Sequence, residues 1–252
     1  MTNLKMLSAA ALLMSVAPAG AQRAPVYTPI HLTQEILSQA CAPFPSFEVP
    51  PMPLRVSGSQ EAMVRRTFAP GDLITINAGS DNGIDVGQEY YARRAVSIEK
   101  RPISRDNPAT IQTSGWIRVY AVDKRMSLAT IVYACTAIEL NDYLEPFVLP
   151  TLPQVSVERL QAQRGNYGHV LRGNDNRSAF ATGDYFLVDR GSDHGVAVGA
   201  RFVVYRDKHE SGNFLFEVGE AEAIDVRPDG ATLRAVLARD AFLSGDYVAL
   251  RK

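Results

Sequence analysis

Gly71-Asp72-Leu73-Ile74-Thr75-Ile76-Asn77-Ala78-Gly79-Ser80-Asp81-Asn82-Gly83-Ile84-Asp85-Val86-Gly87 returns 112 residues later as Gly183-Asp184-Tyr185-Phe186-Leu187-Val188-Asp189-Arg190-Gly191-Ser192-Asp193-His194-Gly195-Val196-Ala197-Val198-Gly199. Eight of the 17 paired positions are identical, without a gap. The identities are mostly Gly, Asp and Ser, while the apolar partners vary in kind. Turn geometry restricts residue type more than a buried slot does, so this is the pattern of a duplicated backbone.

The correspondence extends outward. At the same offset Phe68-Ala69 matches Phe180-Ala181, and Arg94 matches Arg206. A shift of eight residues in the loops after the two arginines aligns Gly115 with Gly219 and Val122 with Val226. Ala134 and Ala137 then align with Ala238 and Ala241, and Asp142-Tyr143-Leu144 with Asp246-Tyr247-Val248. The expected units are 54–147 and 168–252, each the size of a small domain.

Within a unit the pattern is β. Leu73, Thr75 and Asn77 fall on one face of an extended segment, Ile74 and Ile76 on the other. Gly79, Asp81, Gly83 and Gly87, with Gly191, Asp193, Gly195 and Gly199 in the second copy, are expected to be structural turn residues, the glycines supplying positive φ. Aromatic segments end in Arg94 and Arg206. Strands are expected over 116–122 and 129–133, with counterparts at 217–226 and 232–237, and a last short strand follows Asp142 or Asp246. Five or six short strands between Gly and Asp turns imply an all-β chain of two tandem small β-barrel repeats with a short N-terminal helical segment.

Residues 1–21 read as a secretory signal peptide. Lys5 supplies the charged start, Met6 to Val16 the apolar stretch, and Ala19-Gly20-Ala21 the cleavage site. The apolar stretch is too short to span a bilayer, so no membrane insertion is expected after cleavage. Residues 22–53 form an N-terminal segment, helical over His31 to Ala40, and a Pro-rich linker. Residues 148–167 form a second linker, helix-compatible over Gln154 to Arg164. In an oxidising compartment the only two cysteines, Cys41 and Cys135, are expected to pair and pin the N-terminal segment to the first barrel. Arg239 stands where the second unit would need a cysteine.

The chain carries 26 basic and 27 acidic residues. No basic stripe points to nucleic acid, and no polybasic run to an anionic membrane. The Gly-Ser-Asp-x-Gly loops lack the Lys and helix of a phosphate loop and the alternating acids of a calcium loop. His31, His169, His194 and His209 show no metal-pair spacing, so no metal and no cofactor are expected. Ser192 and His194 share a tight turn without a nucleophile elbow, and no catalytic residue is assigned. A hydrolase would require Ser, His and an acid from separate units to converge between the barrels. Asn176-Arg177-Ser178 is a glycosylation acceptor only in a eukaryotic secretory pathway. Arg94 and Arg206 are possible contacts for an anionic ligand, although a stem covering barrel surface beneath a solvated head is the commoner use. Trp116, with Tyr90, Tyr91 and Tyr120, is a possible sugar-stacking surface, set against a place in the core.

The unit Gly-Asp-x-x-x-[Ile/Val]-x-x-Gly-Ser-Asp-x-Gly-[Ile/Val]-x-Val-Gly, its aromatic strand ending in Arg and its closing Asp-Tyr-[Leu/Val] resemble the small β-barrel modules that follow LysM domains in bacterial envelope proteins. They also resemble the C-terminal domain of the flagellar assembly protein FlgT and, more distantly, the barrels of the shape-determining protein MreC. The resemblance implies interaction modules without catalytic residues. No LysM unit, anchor or coiled coil accompanies them in this chain. The expectation is a non-catalytic, periplasmic or secreted structural or adaptor protein whose partner is an envelope protein or the cell wall. The alternative is a peptidoglycan- or carbohydrate-binding protein.

Overall fold

A computed structural model describes residues 32–59, 65–97, 102–105, 107–152, 165–208 and 214–251. The expected signal peptide, His31, His209 and the stretch 154–164 lie outside the described residues. One α-helix stands among the described residues, α1 (Gln34–Ala40), and the rest of the regular structure is almost all strand. The strands of the first half are β1 (Phe44–Ser46), β2 (Val56–Ser59), β3 (Thr67–Phe68), β4 (Leu73–Ile76), β5 (Glu89–Val96), β6 (Ala109–Val122), β7 (Ser127–Ala134), β8 (Ile138–Glu139) and β9 (Tyr143–Pro146). The second half contributes β10 (Gly168–His169), β11 (Ala179–Phe180), β12 (Tyr185–Val188), β13 (Arg201–Asp207), β14 (Leu215–Val226), β15 (Ala231–Ala238), β16 (Phe242–Leu243) and β17 (Tyr247–Leu250).

The first large sheet runs β2-β4-β7-β6-β5-β9, with β1 added to β6. The second runs β10-β17-β13-β14-β15-β12. Five strands therefore follow one order in both, β4-β7-β6-β5-β9 and β12-β15-β14-β13-β17. The sixth strand of each sheet reaches both ends of its sheet. Beyond its pairing with β4, the chain entering β2 bridges Arg55 to Tyr143, and Val56 N–H donates to the Asp142 carbonyl at 2.9 Å. Likewise β10 pairs with β17, and Val170 just after it bridges to Val188 of β12. Register matches as well: Tyr91 faces Trp116 where Val203 faces Glu220, and a bulge follows at Ala92/Arg93 and Val204/Tyr205.

Each sheet wraps its own apolar core. Ile74 and Ile76 of β4 are fully buried while Leu73 and Thr75 are half-exposed, the two faces expected of the alternation. They pack with Val56, Phe68, Ile117, Ile131 and Ile138. The second core gathers Phe180, Phe186, Phe202, Leu233 and Phe242. Helix α1 begins where Thr33 Oγ1 accepts from Ile36 N–H at 3.3 Å, an N-cap satisfying one of the orphan donors of the first turn. Cys41, just after it, is bonded to Cys135, across a sequence separation of 94 residues. On the chain-entropy account a loop of that length stabilises by about 4 to 5 kcal/mol.

Candidate functional site

The two arginines singled out by the sequence end up in equivalent ionic clips. Arg94 Nε and Nη2 donate to Asp142 Oδ1 and Oδ2 at 2.8 and 3.1 Å, its Nη1 meets Glu139 at 2.6 Å, and Nη2 reaches the Ala137 carbonyl at 3.1 Å. Arg206 repeats this with Asp246 at 2.9 and 2.8 Å, Asp240 at 2.8 Å and the Ala241 carbonyl. The aspartates also accept from the Glu139 and Leu243 N–H groups, at 2.9 and 2.7 Å. Burial works against the Arg94 charge, but Asp142 and Glu139 outweigh it and hold its pKa above the ordinary value. Asp246 does the same for Arg206, with burial opposing. Neither head is left in solvent as the commoner reading of such an arginine expects, because β5–β9 and β13–β17 pairing sets the aspartate beside it. The bidentate fork uses donors that an anionic ligand would need.

A second pair went unread in the sequence although it shares the offset of 112. Arg65 pairs bidentately with Asp72, and Arg177 with Asp184, the closest approach being 2.6 Å in each. Each aspartate also accepts a backbone N–H three residues upstream, Ala69 or Ala181. A search for charged residues recurring in register would have found both clips, since Arg and Asp recur together.

The turn glycines divide by cause. Gly83 and Gly195 have φ of 77° and 79°, and Gly87 and Gly199 have 92° and 85°, the left-handed region that favours glycine. Gly79 and Gly191 are extended instead, at −141° and −132°. There the constraint is approach: a Cβ would stand 2.0 Å from the Asp123 or Arg227 carbonyl oxygen. The turns that follow, Ser80–Asn82 and Ser192–His194, dock on the neighbouring hairpin loop through Ser80 N–H to Asp123 and Ser192 N–H to Arg227, at 3.0 and 2.9 Å. Asp81 and Asp193 donate their backbone N–H to Lys124 and Pro228, at 3.0 Å each, and their side chains are exposed.

Between the halves runs a seam filled by residues 32–48. Helix α1 lies over the outer face of the first sheet, where Leu37 and Ala40 cover Trp116, Tyr91, Tyr133 and Phe147. Trp116 is 3% exposed and stacks on Tyr133 with centroids 4.7 Å apart. Its possible sugar-stacking face is thus taken by aromatic neighbours and the helix; Tyr90 and Tyr91 are buried too, and of the four rings only Tyr120 is exposed. Strand β1 pairs with β6, while Thr232 Oγ1 of the second half donates to the Pro43 carbonyl at 2.6 Å. Gln39 Nε2 reaches the Ile224 carbonyl at 3.4 Å, and Glu35 pairs with Arg234 at 2.8 Å. The N-terminal segment therefore grips both halves, where the sequence implied the first alone.

A groove of about 410 Å³ opens along this seam, lined by Gln39, Phe44, Arg93, Glu145, Asp225 and Arg227 among others. The guanidiniums of Arg93 and Arg227 stand 4.6 and 4.2 Å from the Phe44 ring centre, a cation–π arrangement. Arg93 meets Glu145 at 2.6 Å, and Arg227 meets Asp225 at 3.3 Å, so the two cations face two carboxylates. Burial depresses the Arg93 pKa, with Glu145 opposing it. It pushes the Tyr91 hydroxyl up to about 12. A second cavity of about 350 Å³ includes Thr110, His169, Arg172 and Ser244. His169 Nδ1 lies 3.0 Å from Asp189 Oδ2, but Ser244 Oγ donates to the Leu171 carbonyl, and His169, Asp189 and Ser244 all belong to the second half. His194 Nδ1 accepts from Gly191 N–H at 3.2 Å. Among the described residues no group of three or more His, Cys, Asp or Glu is placed to hold a metal ion, and no helix is long and apolar enough to cross a membrane.

The chain matches no known family profile and no curated protein.

Proposed function

We propose that this chain is an exported, non-catalytic adaptor of the bacterial cell envelope, made of two tandem copies of one small β-barrel module tied by an oxidised N-terminal strap. The observation that carries the reading is how the polar side chains are used. Three candidates among the described residues are closed on partners within the chain: Arg94 on Asp142, Arg206 on Asp246, His169 on Asp189. Large apolar side chains face solvent instead, among them Val86 and Val198 at equivalent turn positions, each 54% exposed, and Phe214 at 70%. Exposed apolar residues repeated at one turn of both halves offer a protein partner the same foothold twice. The Cys41–Cys135 bond fits an oxidising compartment, and the likeness to LysM-associated, FlgT and MreC barrels supports an assembly role.

The test is site-specific photo-crosslinking in intact cells from positions 86 and 198, with N-terminal sequencing of the purified chain. Processing before Gln22 and discrete protein adducts are expected. A chain retained in the cytoplasm, or one that forms no adduct from either position, overturns the reading. Carbohydrate binding has one observation in its favour, away from Trp116. Tyr167, Tyr205, Tyr247 and His169 form a partly exposed ring cluster, with Tyr167 6.1 and 6.0 Å from the other two tyrosines. Salt-resistant pelleting with peptidoglycan sacculi, abolished by Tyr205→Ala with Tyr247→Ala, would promote it. A clear supernatant would remove it.

A further inference from the structure

The clips spend every guanidinium nitrogen of Arg94 and Arg206 on partners within the chain. The two arginines of the seam groove do not. Among the described residues Arg93 bonds through Nη1 alone, to Glu145, and its Nε is buried with no partner. Arg227 turns Nε and Nη2 toward a single oxygen of Asp225, both at 3.3 Å, and its Nη1 has no partner there. Arg93 is only 9% exposed, yet it stands in the groove wall. A buried guanidinium with open donors calls for an acceptor, since nearly all buried polar groups find one. Both cations stand on the Phe44 ring, and Arg227 adds to the burial that depresses the Arg93 pKa.

The repeated module does not need these residues. At the repeat's offsets Tyr205 stands for Arg93, Ala249 for Glu145, Ala121 for Asp225 and Asp123 for Arg227. Each sheet keeps the shared strand order without the other's charged pair. The set comes together only at the seam, where the strap delivers Phe44. The rest of the wall is largely apolar, with Pro146, Val148, Leu149 and Pro150 running on from β9. Val148 is 71% exposed, and the N–H groups of Val148 and Leu149 donate to nothing among the described residues. An incoming chain would find both side chains to cover and backbone groups to pair with.

We propose that this groove holds the C-terminal end of a partner protein. Its α-carboxylate is taken by Arg227 and Arg93, and its last apolar side chains lie along residues 146–150. The proposal rests on the adaptor reading and gives that adaptor one docking site. At about 410 Å³ the groove falls in the range of small-ligand pockets, about 300 to 1,000 Å³, so it takes a peptide end and not a folded domain. A planar carboxylate matches the guanidinium fork. Glu145 and Asp225, already in the wall, repel a dianion such as phosphate more strongly than a single carboxylate.

Two pools of dye-labelled pentapeptides test this by fluorescence polarisation on the purified chain. Both are randomised over apolar residues, and they differ only in a free or an amidated C-terminus. The free-acid pool is expected to bind, and the amide pool at least about tenfold more weakly. Arg227→Gln is expected to weaken binding of the acid pool about tenfold, the loss of one charge-assisted donor, with the melting temperature unchanged. Arg239→Gln, which removes the partner of Glu217 outside the groove, should leave binding as it was. Equal binding of the two pools, binding of neither, or binding indifferent to Arg227→Gln overturns the proposal. If the acid pool fails while position 86 forms adducts in cells, the groove assignment falls and the adaptor reading stands.

Discussion

The outer faces of the two large sheets occupy the same register and are built on opposite principles. In the first, Tyr91, Trp116, Tyr133 and Phe147 make an aromatic surface that α1 and the Cys41–Cys135 bond cover. In the second, the same positions carry Val203, Glu220, Leu237 and Arg251. There Glu220 meets Arg251 at 2.9 Å, and Leu237 stays 44% exposed. The clips and turns beneath are alike. The module is thus fixed by its turns and its Arg–Asp pairs, while its outer face is free to differ. One copy has become an anchoring site for the strap, and the other carries there a buried valine, an ion pair and a partly exposed leucine.

The comparison can be broken most forcefully at the strap. Cys135→Ser is expected to lower the unfolding free energy by about 4 kcal/mol, read by denaturant titration. The loss should be matched by the wild type under reducing conditions. Trp116→Ala should cost about 3 to 4 kcal/mol, as a buried aromatic removed from a packed cluster. Its register counterpart Glu220→Ala breaks one part-buried ion pair, with Arg251, and should cost about 1 kcal/mol or less. Equal costs at the two positions would contradict the contrast between the faces.

Where the halves agree, variants should agree. Asp142→Asn and Asp246→Asn each take the buried carboxylate from a guanidinium that keeps only its more exposed partner, Glu139 or Asp240, at about 2 kcal/mol apiece. Gly83→Ala and Gly195→Ala put a Cβ on a left-handed residue and should each cost about 1 kcal/mol. The smallest effect is with pH. A backbone N–H from Ala69, with Arg65, holds the Asp72 carboxyl below its ordinary value of 3.8. For Asp184 burial opposes, but Arg177 and the Ala181 N–H win, so its pKa is lowered as well. A depressed carboxyl contributes stability that is present above its unfolded pKa and lost as pH falls through its folded one. Melting temperature should therefore drop below about pH 3.8 more steeply in the wild type than in an Asp72→Asn, Asp184→Asn double variant.

Much of the fold was legible because turns constrain residue type. The Gly-Asp-Ser repeats located β4, β12 and the hairpins after them, and the alternation at Leu73 to Asn77 set which side chains face inward. The disulfide was expected from two cysteines and from the reading of residues 1–21 as a secretory signal. Less could be read where a residue's role depends on what lies across the sheet. Arg94 and Asp142 are 48 residues apart, and nothing local in either announces the other. Gly79 opens the turn Ser80–Asn82, and the constraint on it is a hairpin carbonyl contributed from Asp123. The covering of Trp116 was hidden because a strand pattern says which residues share a face, and not that a helix from elsewhere will land on it.

Arg93 has a further consequence, as a check on chain identity. Two sheets of like order and like clips invite exchange, with the closing strand of one half entering the other, a characteristic failure of tandem domains. The Arg–Asp clip cannot prevent this, since β9 and β17 both deliver an aspartate to it. The neighbouring residue can. At the first sheet β9 also brings Glu145 to the buried Arg93, and β17 carries Ala249 at that place. An exchanged strand would leave Arg93 enclosed among Phe44 and Tyr91 with its counter-charge gone, a penalty of several kcal/mol. The correct pairing carries its own password, and it is written in one ion pair.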